Sequence, residues 1–167
     1  MMDKVNHPFP PLFDKNSKIL ILGSFPSVKS REQKFFYGHP KNRFWSVLAK
    51  ILNCPIPETI EQKKMMLYNN GIALWDVIAS CEIEGSSDSS IKNAVPNDLS
   101  VIFENADIKR IFVNGKTAEK YFVKYTEGKI GMKAVCLPST SPANASWSVD
   151  KLTAEWERLL EITTLDK

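Results

Sequence analysis

Histidine and cysteine are scarce in this chain of 167 residues: His7 and His39 are its two imidazoles, and Cys54, Cys81 and Cys136 its three thiols. The cysteines are odd in number, far apart and without C-x-x-C spacing. Neither a disulfide framework nor a zinc site with sensible ligand spacing is expected from them. They read as reduced, buried thiols, and no metal is expected. Long apolar runs are also missing. None approaches the roughly 18 residues of a membrane-spanning helix, and the opening residues lack the apolar stretch of a signal peptide. The cytoplasm is the expected location, with no membrane partner. Charge of one sign is in short supply too: the formal net charge is +3. That argues against a histone-like or polybasic protein and is compatible with DNA binding without demanding it. Three signatures are absent as well. There is no G-x-G-x-x-G for a dinucleotide, no G-K-[ST] for a P-loop, and no G-x-S-x-G nucleophile elbow.

What is present is a globular composition, 43% hydrophobic and 25% charged, at a length that suits one domain with a real core. Residues 1–17 hold Pro8, Pro10 and Pro11 without a periodic pattern and read as an extended arm; 18–167 read as a single domain. Lys18 to Gly23 is a continuous apolar run ended by glycine, as in a strand buried on both faces. Residues 24–40 read as a long loop. Phe44, Leu48, Ile51 and Leu52 fall at helical spacing, which predicts a helix over 42–52. Thr59 and Gln62 form a capping-box pattern that opens a second helix, closed at Gly71. Ile72 to Val77 is a second strand, followed by the polar stretch 84–90, which reads as a mobile loop. A short helix near 97–104, a strand over 110–113, a helix over 117–125 and a strand over 133–137 come next. A last helix carries Val149, Leu152, Trp156, Leu159 and Leu160 on one stripe, with Ser148 as cap. This alternation predicts an α/β fold with a four-stranded parallel sheet and helices on both faces.

Sites on open parallel sheets form outside the carboxyl ends of the strands. Four segments qualify. After the first strand, Ser24, Ser27 and Ser30 offer hydroxyls to a phosphate or simply cap a turn. The same loop runs on from Lys29 to Arg43 with five Lys/Arg and one Glu, net +4, leaving net −1 for the remainder. Aromatics interleave with that charge, as on a surface that grips phosphates and stacks a base, with Lys29 on the phosphates and Tyr37 on the base. After the second strand, Asp76 can accept a ring N–H, orient a neighbour, or cap a turn. After the third, Asn114 offers a donor and an acceptor to a base edge, or makes the Asn-Gly turn. After the fourth, Pro138 and Pro142 bracket Ser139, Thr140 and Ser141. This stiff loop could bind a phosphate and wedge into the gap left by an extruded base, or be an ordinary turn.

Taken together, Leu22-Gly23-Ser24-Phe25-Pro26-Ser27, Tyr37-Gly38-His39-Pro40-Lys41-Asn42-Arg43-Phe44-Trp45, Trp75-Asp76-Val77, Val113-Asn114-Gly115-Lys116-Thr117-Ala118 and Pro138-Ser139-Thr140-Ser141-Pro142-Ala143-Asn144 resemble the uracil-DNA glycosylase superfamily. Within it they are most similar to the DNA-deoxyinosine (hypoxanthine-DNA) glycosylase branch. The resemblance implies a three-layer α/β/α sandwich, no cofactor, and cleavage of the N-glycosidic bond of a flipped, deaminated base in base excision repair. It implies hypoxanthine first, with uracil or xanthine as other bases. Phe25 stands where most branches carry an Asp or Asn that positions water; the resemblance assigns that amide to Asn42. Leu137 stands where the common branch has a catalytic histidine, so strong activity on uracil is not expected. On this reading Phe25 stacks on the base and Asp76 or Asn114 reads its edge. Ser24, Ser27, Ser139 and Ser141 grip phosphates, with Ser30, Thr140 and Pro142 beside them. His39 touches phosphate or orders its loop. A monomer is the default. Two other readings stand: a hydrolase using Ser24, His39 and Asp76, and a nucleic-acid-binding module without catalysis.

Overall fold

The computed structural model describes residues 4–161. Four strands form a parallel sheet: β2 (Ile19–Gly23), β3 (Ile72–Asp76), β6 (Arg110–Asn114) and β7 (Ala134–Leu137), in the order β3-β2-β6-β7. The apolar runs become strands because both faces of the sheet are covered. Successive side chains point to opposite faces. Ile21, Leu74 and Phe112 enter one core with α2 (Phe44–Ile51), α3 (Ile60–Asn69) and α7 (Val149–Trp156); Leu20, Leu22, Ile111 and Val113 enter the other with α5 (Lys116–Tyr125). Leu20, Ile21 and Leu22 are all fully buried, each a contribution of about 1.5–3 kcal/mol. The result is the expected three-layer α/β/α sandwich.

Local signals set the helix ends. Asn42 Oδ1 accepts the Phe44 N–H at 2.9 Å where α2 begins. The Thr59–Gln62 capping box is formed at α3, which stops before Gly71 at φ +65°. Ser148 Oγ accepts the Lys151 N–H at the start of α7. The last stripe is α-helical only to Trp156; residues Glu157–Leu160 tighten into a 3₁₀ turn. The short helix near 97–104 is α4 (Ser100–Phe103), and Glu127–Ile130 adds a further turn, α6.

A second sheet departs from expectation. The segment read as an extended arm contributes β1 (Lys4–Asn6), antiparallel to β4 (Ile78–Glu82), which also pairs with β5 (Lys92–Pro96). Further along the arm, Leu12 exchanges two 2.9 Å backbone hydrogen bonds with Leu74. This closes the free edge of β3. The loop 24–40 also contains a helix, α1 (Val28–Gln33), capped by Ser27. Of the cysteines, Cys81 is buried and Cys136 partly so, but Cys54 is exposed, a correction to its reading as a core thiol. All three are free thiols, and burial pushes Cys81 up to about 11.

Candidate active site

The carboxyl ends of the four parallel strands, at Gly23, Asp76, Asn114 and Leu137, open into one cleft of about 1180 Å³. That is room for a nucleoside and its phosphates. The four segments singled out in the sequence meet there. Asn42, Phe25, Tyr37, Asp76, Asn114, His39, Ser24, Ser27, Ser30, Ser139, Thr140, Ser141 and Pro142 all border it; Lys29 does not.

The floor is built around Gly23. A Cβ at this position would overlap Asp76 Oδ1 and stand 3.2 Å from the Tyr37 hydroxyl. Only a missing side chain lets both oxygens approach the strand end. Asp76 is buried, and its Oδ2 accepts a 2.8 Å hydrogen bond from Nε2–H of His7, a residue of the N-terminal segment. Tyr37 sits at φ +52° and stacks on Phe44, with ring centroids 4.0 Å apart. Its hydroxyl is buried and has no hydrogen-bond partner among the described residues. Burial first, then the charge of Asp76, pushes its pKa up, and the nearby Asn114 amide, too poorly aligned for a good hydrogen bond, pulls the other way. Phe25 lies against the other core with the Arg31 guanidinium 5.6 Å from its ring.

Asn114 is held at both ends of its amide. Its Nδ2 donates to Thr140 Oγ1 at 3.0 Å, and its Oδ1 accepts the Thr140 N–H at 3.1 Å. Thr140 is fully buried. Its expected phosphate contact is corrected accordingly: its hydroxyl joins β6 to the last loop instead. Arg43 completes that joint. Its guanidinium donates to the backbone carbonyls of Thr140, Ser141, Asn144 and Trp147, and its own N–H donates to Thr140. Within the loop, Ser139 Oγ accepts the Ser141 N–H, and Ser141 Oγ accepts the Ala143 N–H. Stiffness here comes from this clamp as well as from the prolines.

Asn42 is half-buried on the cleft wall. The Phe44 N–H fixes its Oδ1 end toward α2, leaving one oxygen lone pair and the Nδ2 donors for a water or substrate. His39 Nδ1 accepts the Lys41 N–H at 3.1 Å, so the neutral ring carries its proton on Nε2. The ring therefore orders its loop while retaining an N–H donor.

The serines after β2 are largely spoken for. Ser24 Oγ donates to both carboxylate oxygens of Asp88, at 3.0 and 3.1 Å. Ser30 is buried; its Oγ accepts the Gly38 N–H and the Ser27 hydroxyl. Ser86 Oγ accepts the Val28 N–H. The polar stretch read as mobile thus folds over the first segment and puts Asp88 into the cleft. Two of the five basic residues of the loop are also engaged internally: Arg43 as above, and Arg31 on the carbonyls of Pro26 and Gly85. Lys29 is exposed beside Glu32 at 3.6 Å.

The hydrolase reading finds no geometry. Ser24 is bonded to Asp88, Asp76 to His7, and His39 to its own loop, so these three residues form no Ser–His–Asp relay. Sequence reasoning missed His7 and Asp88. Neither carries a local signal: His7 lies in the proline-rich start, 69 positions before its partner, and Asp88 in a serine-rich stretch.

The family model described as the uracil DNA glycosylase superfamily matches residues 10–162. A hypoxanthine DNA glycosylase of Methanosarcina acetivorans is 36% identical over 151 residues, 89% of this chain and 94% of that one. One of Methanosarcina barkeri is 37% identical over 115 residues, 68% of this chain and 73% of the other. The solution NMR structure of a Methanosarcina acetivorans protein described as a uracil DNA glycosylase superposes with a TM-score of 0.75. It is 34% identical and covers 92% of this chain and 97% of its own.

Proposed function

Since the chain belongs to the uracil DNA glycosylase superfamily, we propose that it is a monofunctional DNA glycosylase that removes hypoxanthine from a flipped deoxyinosine in base excision repair. The observation that carries this reading is the convergence of Phe25, Asn42, Tyr37 and Asp76 on one cleft. The likeness to two hypoxanthine DNA glycosylases over most of the chain supports the choice of base.

In the proposed reaction the C1′–N9 bond breaks through an oxocarbenium-like sugar. The bonding pair leaves with the base. Hypoxanthine spreads that charge over a fused ring and a carbonyl, so it needs modest help to depart. A water then forms the new C1′–O bond, and its proton passes to solvent or to the departing base. Asn42 is proposed to place that water. An amide cannot act as a strong base, but an oriented one saves the entropy of alignment. Phe25 stacks on the extruded base. Asp76, Tyr37 and Asn114 stand at its edge. Ser139, Ser141 and Pro142 face the backbone and the gap in the duplex, and His39 offers its Nε2–H to a phosphate.

The test is incubation with duplexes carrying one hypoxanthine, uracil or xanthine, followed by alkali. Hypoxanthine duplexes should be cut and the uracil signal should be weak. Asn42→Ala should lose roughly a hundredfold or more in single-turnover release while keeping duplex affinity. Because Asn42 Oδ1 also takes the Phe44 N–H just ahead of α2, Asn42→Asp serves as the control that keeps an oxygen there. Native release by Asn42→Ala would remove the assignment. Binding of a deoxyinosine duplex without base release would favour a non-catalytic module.

A further inference from the structure

We infer that His7 is a positioning residue that aims Asp76 Oδ1 at the N1–H of a 6-oxopurine whose O6 receives the Tyr37 hydroxyl. This inference rests on the base-excision reading and assigns the donor and acceptor at the base edge.

His7 and Asp76 have side chains only 4% and 6% exposed, so their pairing lies beneath the cleft. A carboxylate only accepts, so the imidazole nitrogen 2.8 Å from Oδ2 is an N–H. The ring is wedged by Phe9, edge-on at 4.5 Å, and by Phe25, Phe36 and Trp75 at 6.1–6.5 Å. It cannot turn away without repacking them. His7 therefore fixes which carboxylate oxygen faces inward and leaves Oδ1 without a partner among the described residues, toward the cleft.

Tyr37 supplies the second half. A buried phenol without a partner costs about 1–3 kcal/mol. The fold keeps it in place, by a left-handed backbone and a stacked ring, next to Asp76 above Gly23. Asn114 is the more constrained of the three edge residues, because Thr140 already takes one donor and one lone pair of its amide. What remains is an acceptor beside a donor. A 6-oxopurine presents N1–H beside a carbonyl, which matches both. Adenine presents a lone pair at N1 and a donor at C6, which would face the carboxylate and leave the pair mismatched. Sites built on such buried polar groups reject the unmatched ligand strongly. Guanine shares the matching edge and differs at C2, so its rejection falls to the residues around C2.

The test measures single-turnover release of hypoxanthine, with folding checked by Tm. His7→Leu should lower kcat/KM by about tenfold or more, the loss of one hydrogen bond to a charged group. His7→Gln, which keeps an N–H donor, should restore most of it. In Asp76→Asn, His7 would hold the amide oxygen and turn Nδ2 toward N1–H, abolishing the match. Adding His7→Leu there should raise activity, because the amide is free to flip. A fold-only role for His7 gives no such reversal of sign. Tyr37→Phe, which removes a buried oxygen with no well-aligned partner, should lower release by about tenfold while Tm holds or rises. Unchanged release in His7→Leu and Tyr37→Phe, or no gain in the double variant, overturns the inference. Native protein that releases no base at all overturns the base-excision reading and this one with it.

Discussion

Asp88 is the unexpected residue on a cleft proposed to receive phosphates. Desolvation raises its pKa above the ordinary carboxylate range; the Ser24 bond opposes this and the charge of Asp76 adds to it. Folding therefore favours the protonated form relative to the unfolded chain. Its contribution is fully present at low pH and is lost as pH rises from the ordinary carboxylate range through the raised value. Asp88→Asn should abolish this pH-dependent fall in Tm and tighten duplex binding severalfold at neutral pH, because one negative charge leaves the cleft. Thermal melts across mildly acidic pH and a duplex titration read the two effects. A weaker duplex affinity in the variant would mean that Asp88 contacts the DNA favourably, through a donor or a bound cation.

Among elements, the last loop depends on α2. Arg43, at the foot of that helix, holds four carbonyls of residues 140–147. Removing a charged donor that satisfies several buried acceptors is expensive. Arg43→Ala should cost about 2–4 kcal/mol in urea unfolding, and Arg43→Lys should recover little, since an ammonium cannot span the same fork. The parallel strands were legible because each is a continuous apolar run closed by Gly, Asp, Asn or Pro. The small sheet was not. Ile78 to Glu82 follows β3 after a single residue, Val77, and mixes apolar and polar residues, while Lys92 to Pro96 is mostly exposed. Lys4 to Asn6 has no period to read. Such strands exist because their partners come to them, and that is tertiary information. Likewise α1 is short and its pattern is hidden by the charged run around it.

For the molecule as a whole, internal use of Arg31 and Arg43 leaves Lys29, Lys34 and Lys41 as the exposed cations of the basic loop. Duplex affinity should fall with salt, with a log–log slope of about −2 to −4 for a handful of phosphate contacts. A slope near zero would mean that the backbone is not gripped. The strand-end rule located the cleft from sequence, because topology places it there whatever the side chains are. It could not assign the duties of the side chains. Ser24, Ser30, Thr140 and Arg43 are engaged within the fold, and the arm and the polar stretch supplied His7 and Asp88. The proposed role of the His7–Asp76 link ties selectivity to a contact between distant parts of the chain. Residue 7 and the carboxylate it is proposed to steer stand 69 positions apart in the chain. Long-range closures of this kind are completed late in folding. If that link sets the choice of base as proposed, a chain in which it has frayed would keep its cleft and lose its discrimination.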